Sequence, residues 1–225
     1  MALFEKASTV LPGKTLYFPG CLASAKLPRV VKAQQALLRE LGIETIALPE
    51  LECCGHPAWR AGYRDTFDTI KQRNKEVLKK HRIVKIITGC PHCALTFAKE
   101  YGVATEHLLE TVGQHLEKVK KADSRTVDYH HPCTLCALNL EQKDAVRVLR
   151  RANVHVANET EEQKCCGSVG DDFARNAPEA ASVIAASRVK AFKTGVVVTS
   201  CPYCNVHLSR HHAKVRDVAE MLNEV

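Results

Sequence analysis

Eleven of the 225 residues are cysteine, and ten of those repeat. They stand at positions 21, 53, 54, 90 and 93, then again at 133, 165, 166, 201 and 204, with Cys136 left over. Cys21 and Cys53 are separated by 31 residues, as are Cys133 and Cys165, while Cys54 to Cys90 spans 35 and Cys166 to Cys201 spans 34. Each set offers an isolated thiol, an adjacent pair followed by glycine, and a Cys-Pro-x-Cys. Self-similarity of this length marks a duplicated unit of about 110 residues. Four thiolates suffice to close a zinc tetrahedron or to hold a cubane iron–sulfur core. The fifth, Cys21 or Cys133, exceeds both and favours a larger or non-standard iron–sulfur assembly. Zinc in one half, or thiols that are merely buried or redox-active, are the rival readings of the same residues.

The chemistry needs reduced thiols, and the rest of the chain agrees with that. A chain of 24.9 kDa has no need of disulfides in place of a core. Met1 to Lys14 contains Glu5 and Lys6 and no apolar run of signal-peptide length, which gives the expectation of a cytoplasmic protein. The most apolar stretches, Ile83–Thr88 and Val196–Thr199, fall far short of the roughly 20 residues of a membrane helix. A net charge of +7 raises the question of nucleic acid. Lys71, Arg73, Lys75, Lys79 and Lys80, however, follow one another along a helical segment without aromatic interleaving, the pattern of a solvated face, so no nucleic-acid partner is expected. Ten thiolates around two iron–sulfur cores would bring the total close to neutrality.

The elements that position the cysteines also come in pairs. Short apolar runs from Thr15 and Thr126 read as strands that end at Cys21 and Cys133. Helical spacing over 28–41 and 141–152 leads to second strands at Ile43–Leu48 and Val154–Ala157, each followed by Cys-Cys-Gly. Helices over 63–81 and 178–193 precede third strands at Ile83–Thr88 and Gly195–Thr199, each followed by Cys-Pro-x-Cys. The order predicts an α/β fold of two pseudo-symmetric domains, 1–112 and 126–225, joined by a polar linker over 113–125. Each domain would carry a small parallel sheet with flanking helices and its cysteines at the carboxyl edge of the strands, where open α/β sheets bind ligands. Gly55 and Gly167 would permit the tight turn beside an inorganic core.

Tyr17-Phe-Pro-Gly-Cys21, Cys53-Cys-Gly-His-Pro, Tyr129-His-His-Pro-Cys133, Cys165-Cys-Gly and Cys201-Pro-Tyr-Cys204 resemble the cysteine-rich CCG domains of the catalytic B subunit of heterodisulfide reductases. The same domain occurs in iron–sulfur subunits of glycolate, lactate and glycerol-3-phosphate oxidoreductases. The resemblance runs from about Leu16 to Leu222. It implies two noncubane [4Fe–4S] clusters, one on Cys21, Cys53, Cys54, Cys90 and Cys93, the other on Cys133, Cys165, Cys166, Cys201 and Cys204. It further implies disulfide reduction, or the reverse oxidation of thiols or protein-bound sulfur, in a multi-subunit complex. The chain has no ferredoxin cysteine run, no G-x-G-x-x-G and no P-loop, so a ferredoxin-like subunit and a flavoprotein subunit are the expected partners.

His56, His92 and His131 are the candidate catalytic residues, since each stands beside a cysteine motif and could bring a proton or hydrogen bond to sulfur. The plainer reading of each is packing beside the site. His131 stands where many relatives carry Asp, and Cys136 is additional, at the position equivalent to Ser24. His211 and His212 read as polar surface. Cys53-Cys-Gly-His-Pro-Ala-Trp, followed by Arg-Ala-Gly-Tyr63, is similar to lactate-utilisation relatives and sustains the alternative of an electron-transfer subunit. A zinc-bound interaction module is the third reading.

Overall fold

The computed structural model describes residues 13–121, 123–159, 164–212 and 214–223. Most of the Met1–Lys14 segment, Ala122 of the expected linker, and Glu224 and Val225 lie outside the described residues. The first half runs β1 (Lys14–Tyr17), α1 (Cys21–Lys26), α2 (Pro28–Glu40), α3 (His56–Arg60), α4 (Arg64–Lys80), β2 (Ile83–Thr88), α5 (Pro91–Thr96), β3 (Ala104–His107) and α6 (Leu108–Gln114). The second runs β4 (Arg125–His130), α7 (Cys133–Cys136), α8 (Gln142–Arg151), β5 (Val154–Val156), α9 (Asp172–Asn176), α10 (Pro178–Lys190), β6 (Val197–Thr199), α11 (Pro202–Leu208), β7 (Val215–Asp217) and α12 (Val218–Asn223).

Local sequence accounts for these elements. Proline at the first turn opens α2, α5, α10 and α11, where a missing N–H costs nothing. Helix α2 buries Val30, Gln34, Leu37 and Leu38 along one stripe, and α8 starts in a capping box between Glu141 and Asp144 and buries Ala145, Val146, Val148 and Leu149. The β-branched run of β2 is the central strand of its sheet, with Ile86 and Ile87 fully buried.

All strands pair in parallel, in the orders β1-β2-β3 and β5-β4-β6-β7. The fold is α/β with two small parallel sheets. Two differences from the sequence expectation are instructive. The segment expected as a strand at 43–48 makes a single bridge, Ile46 to Leu16, in the place that β5 takes beside β4. Each half also has a further strand, β3 and β7. Their sequences, Ala-Thr-Glu-His and Val-Arg-Asp, are too short and polar to announce a strand.

The halves exchange their last helices. Helix α6 packs on α8 of the second half, and α12 packs on α2 of the first. One apolar core accordingly contains Leu37, Leu38 and Val112 together with Val148, Leu149, Met221 and Leu222. A second gathers Phe18, Phe97, Ala185 and Leu208 around cysteines of both sets. Within 113–125, α6 reaches Gln114, one turn of 3-10 helix covers Leu116–Lys118, and Val119 is buried.

Candidate functional site

Every strand that begins a cysteine motif ends just short of it. After β1, Phe18-Pro-Gly leads into α1 at Cys21; after β2, Gly89 and Cys90 lead into α5. Helices α7 and α11 repeat this arrangement after β4 and β6. The Cys-Cys pairs turn through Gly55 and Gly167, both at left-handed φ of +85° and +89°. A Cβ at Gly167 would stand 2.6 Å from the Ala181 carbonyl oxygen, so no other residue fits that turn unstrained.

Within each set the thiols converge. Cys54 and Cys93 lie 3.4 Å apart between sulfurs, and Cys166 and Cys204 likewise 3.4 Å. The Gly55 N–H donates to Cys53 Sγ at 3.4 Å and the Gly167 N–H to Cys165 Sγ at 3.3 Å. All of these cysteines are free. The Cys21 thiol donates to Cys53, which holds the Cys53 pKa down at about 3 and pushes that of Cys21 up. The Cys133 thiol does the same for Cys165, which falls to about 2. Thiols sharing protons in this way are placed to give them up together to a metal. Cys133 and Cys165 are exposed whereas Cys21 and Cys53 are half-buried, so the second set is the more open.

Histidines link the two sets. His56 Nδ1 lies 3.0 Å from Thr96 Oγ1, its Nε2 lies 3.0 Å from His92 Nδ1, and His92 Nε2 reaches Thr134 Oγ1 of the second half at 3.3 Å. The Tyr203 ring of the second half meets His92 edge-on at 5.1 Å and lines the first set beside Cys21 and Cys54. His131 goes elsewhere, with Nε2 3.7 Å from Cys136 Sγ.

The cysteine-rich domain family CCG matches residues 15–98 and again 127–209. The chain belongs to that family. Its CCG repeats are similar to a subunit of the fumarate reductase (CoM/CoB) of Methanothermobacter marburgensis, 29% identical, covering 94% of this chain and 46% of that protein. A subunit of the dihydromethanophenazine:CoB–CoM heterodisulfide reductase of Methanosarcina mazei is 30% identical, over 93% of this chain and 57% of that one. The glycolate oxidase iron–sulfur subunit of Escherichia coli is 23% identical, over 94% and 58%. The chain thus spans about half the length of the curated relatives it matches.

Between the CCG repeats lies a cleft of about 510 Å³, lined by Cys21, Arg60, Tyr63, Asp171, Arg175 and Tyr203. Arg175 pairs with Asp171. Burial pushes the His56 pKa down to about 4, so that ring is neutral. Burial also works against a charged His92, but the hydrogen bond and charge of Cys201, then the charge of Cys90, outweigh it and hold that pKa up. Two participants escaped the sequence reading. Tyr203 was legible only as the variable residue of a Cys-Pro-x-Cys. His130 is 1% exposed, and its ring, Cys166 and Cys204 offer three ligand atoms within 4.8 Å of one another. The only hint was the His-His doublet before Pro132.

Proposed function

We propose that this chain is an iron–sulfur oxidoreductase subunit of the heterodisulfide reductase type, with two noncubane [4Fe–4S] clusters. Its units are the repeats 1–112 and 126–225, joined through 113–125. The observation that carries this reading is that both five-thiol sets are complete and adjoin in one buried cluster, with Cys21 of the first set opening onto the cleft. Cys21, Cys53, Cys54, Cys90 and Cys93 would hold one cluster; Cys133, Cys165, Cys166, Cys201 and Cys204 would hold the other. The donors fit such a group, being soft thiols already sharing protons, with backbone N–H groups directed at Cys53 and Cys165. When bound, the clusters supply iron that captures sulfur and one-electron redox chemistry.

The overall change is balanced simply: one S–S bond breaks, two electrons and two protons enter, and two thiols leave. Electrons come from a ferredoxin-like and a flavoprotein partner; the reverse reaction returns them. The protein's own part is to admit the disulfide and order the side chains around it. The cleft lets substrate reach Cys21 and Tyr203. Thr96 Oγ1 donates to the His92 carbonyl and so accepts from His56 Nδ1, which leaves His56 Nε2 to accept from His92 Nδ1 and hold that ring with its Nε2 towards Thr134 of the second half. His131 lies beside Cys136, where it orders the entrance to the second set rather than the space between the sets. The similarity to a glycolate oxidase iron–sulfur subunit favours a second reading, in which the same clusters only pass electrons.

Iron, zinc and acid-labile sulfide per chain on anaerobically prepared protein test the proposal. About eight iron and about eight sulfide are expected, with negligible zinc. Cys53→Ala and Cys165→Ala should each lose about half of the iron. One or two zinc with little iron would overturn the two-cluster reading. Reduction of a disulfide by the loaded chain with an electron donor separates the first reading from the second.

A further inference from the structure

The two repeats are not equivalent at the residue three before the first cysteine. In the first half this is Phe18, 2% exposed, set edge-on against Phe97 at 5.0 Å. In the second it is His130, equally buried, whose Nδ1 accepts a hydrogen bond from Arg188 Nε at 3.4 Å. A guanidinium nitrogen only donates, so Nδ1 carries no proton. The single ring proton therefore sits on Nε2. That atom is buried and has no hydrogen-bond partner among the described residues. It is grouped with the sulfurs of Cys166 and Cys204, all within 4.8 Å of one another.

An unsatisfied buried N–H is costly, and this one is aimed at the thiols that the preceding section assigns to a cluster. We propose that His130 is a positioning residue that donates its Nε2–H to sulfur of the second cluster, with Arg188 fixing the tautomer, so that the second cluster is the more easily reduced of the two. The inference rests on the two-cluster reading. Direct ligation of iron by Nε2 would need the proton on Nδ1, facing Arg188 Nε–H, and is excluded by that contact. A hydrogen bond to cluster sulfur stabilises the reduced, more negative state, and Phe18 offers the first cluster nothing comparable. Electrons that enter the chain then settle first on the second half, the one with the more exposed cysteines.

The test is a redox titration followed by electron paramagnetic resonance on the full chain, with iron counted in every sample. His130→Phe, which imports the residue of the first half, should keep its iron and lower one midpoint only. The expected shift is about tenfold in the reduction equilibrium, or about 59 mV for one electron. His130→Gln, which keeps an N–H donor, should restore the midpoint, and the exchangeable proton coupled to that cluster should vanish in His130→Phe alone. Arg188→Met, which releases the tautomer, should shift the same midpoint in the same direction and decides the matter if His130→Phe fails to fold. Unchanged midpoints at full iron would overturn the inference and leave the clusters standing. Loss of about half of the iron in His130→Phe would overturn it by making His130 a ligand. A wild-type chain without iron would overturn the two-cluster reading and this inference with it.

Discussion

His107 and Asp217 occupy matching places, paired in register with Thr88 and Thr199, and each caps the helix that follows. His107 Nδ1 accepts the Leu109 N–H at 3.2 Å, and Asp217 Oδ1 accepts the Ala219 N–H at 2.9 Å. Asp217 also takes Gln34 Nε2 at 3.3 Å, while Gln34 Oε1 accepts from Tyr17. Burial nevertheless dominates and pushes the Asp217 pKa up to about 7. Because the folded value is raised above that of the unfolded chain, its contribution to stability is full below about pH 4 and is lost as pH rises towards 7. Asp217→Asn keeps the cap and removes that loss. The variant should match wild type near pH 4 and exceed it at pH 8 by a margin on the order of 4 kcal/mol, measured by denaturant unfolding. Equal stability at pH 8 would show that the carboxylate is charged without penalty. His107 runs the other way. Its pKa is lowered to about 4 by burial, so its share is present near neutrality and is lost as pH falls from about 6.5 towards 4.

Elements whose apolar residues recur at a fixed period were visible in advance. Helices α2 and α8 have that property, while α4, α10 and strands β1, β2, β4, β5 and β6 fall on segments marked out by short apolar runs and by their place before a cysteine motif. The strand expected at 43–48 reduces to one bridge because only Ile46 reaches β1 in register. Strands β3 and β7 were hidden because partners, not propensity, make them strands. The cysteine spacings pointed to two sets, but not to histidines from one repeat meeting threonine and tyrosine from the other, since such contacts depend on how the halves face each other. Helix α12 is the element that best exposes this dependence. Leu222, 2% exposed, lies in the core shared with Leu37 and Leu38 of α2. Leu222→Ala should cost about 2–5 kcal/mol. The loss should appear in hydrogen exchange as deprotection of α2, in the other repeat. Deprotection confined to residues 197–223 would contradict the exchanged packing.

At the scale of the molecule, the apolar core crosses the duplication boundary at α6 with α8 and at α12 with α2. Chains divided within 113–125 should each stay unfolded or aggregate when produced alone, and recover cooperative unfolding when mixed. Circular dichroism on the separate and combined pieces decides this; a half that folds alone would mean that the shared core is dispensable. The cysteine spacing indicated the twofold repeat and the order of elements the class of fold, but not this sharing, because the same apolar stripes serve a partner in either half.

The exchange of α6 and α12 has a consequence for descent. A polypeptide with one such repeat would leave the far side of its terminal helix without the helix it meets here, and an α2-type face without its cover. Two copies would satisfy both by trading helices about a twofold axis, an isologous pairing that closes on itself. The present chain has the form of that dimer with its subunits fused. Fusion freed the two halves to diverge, and Phe18 facing one set where His130 faces the other is a difference that a symmetric homodimer could never encode.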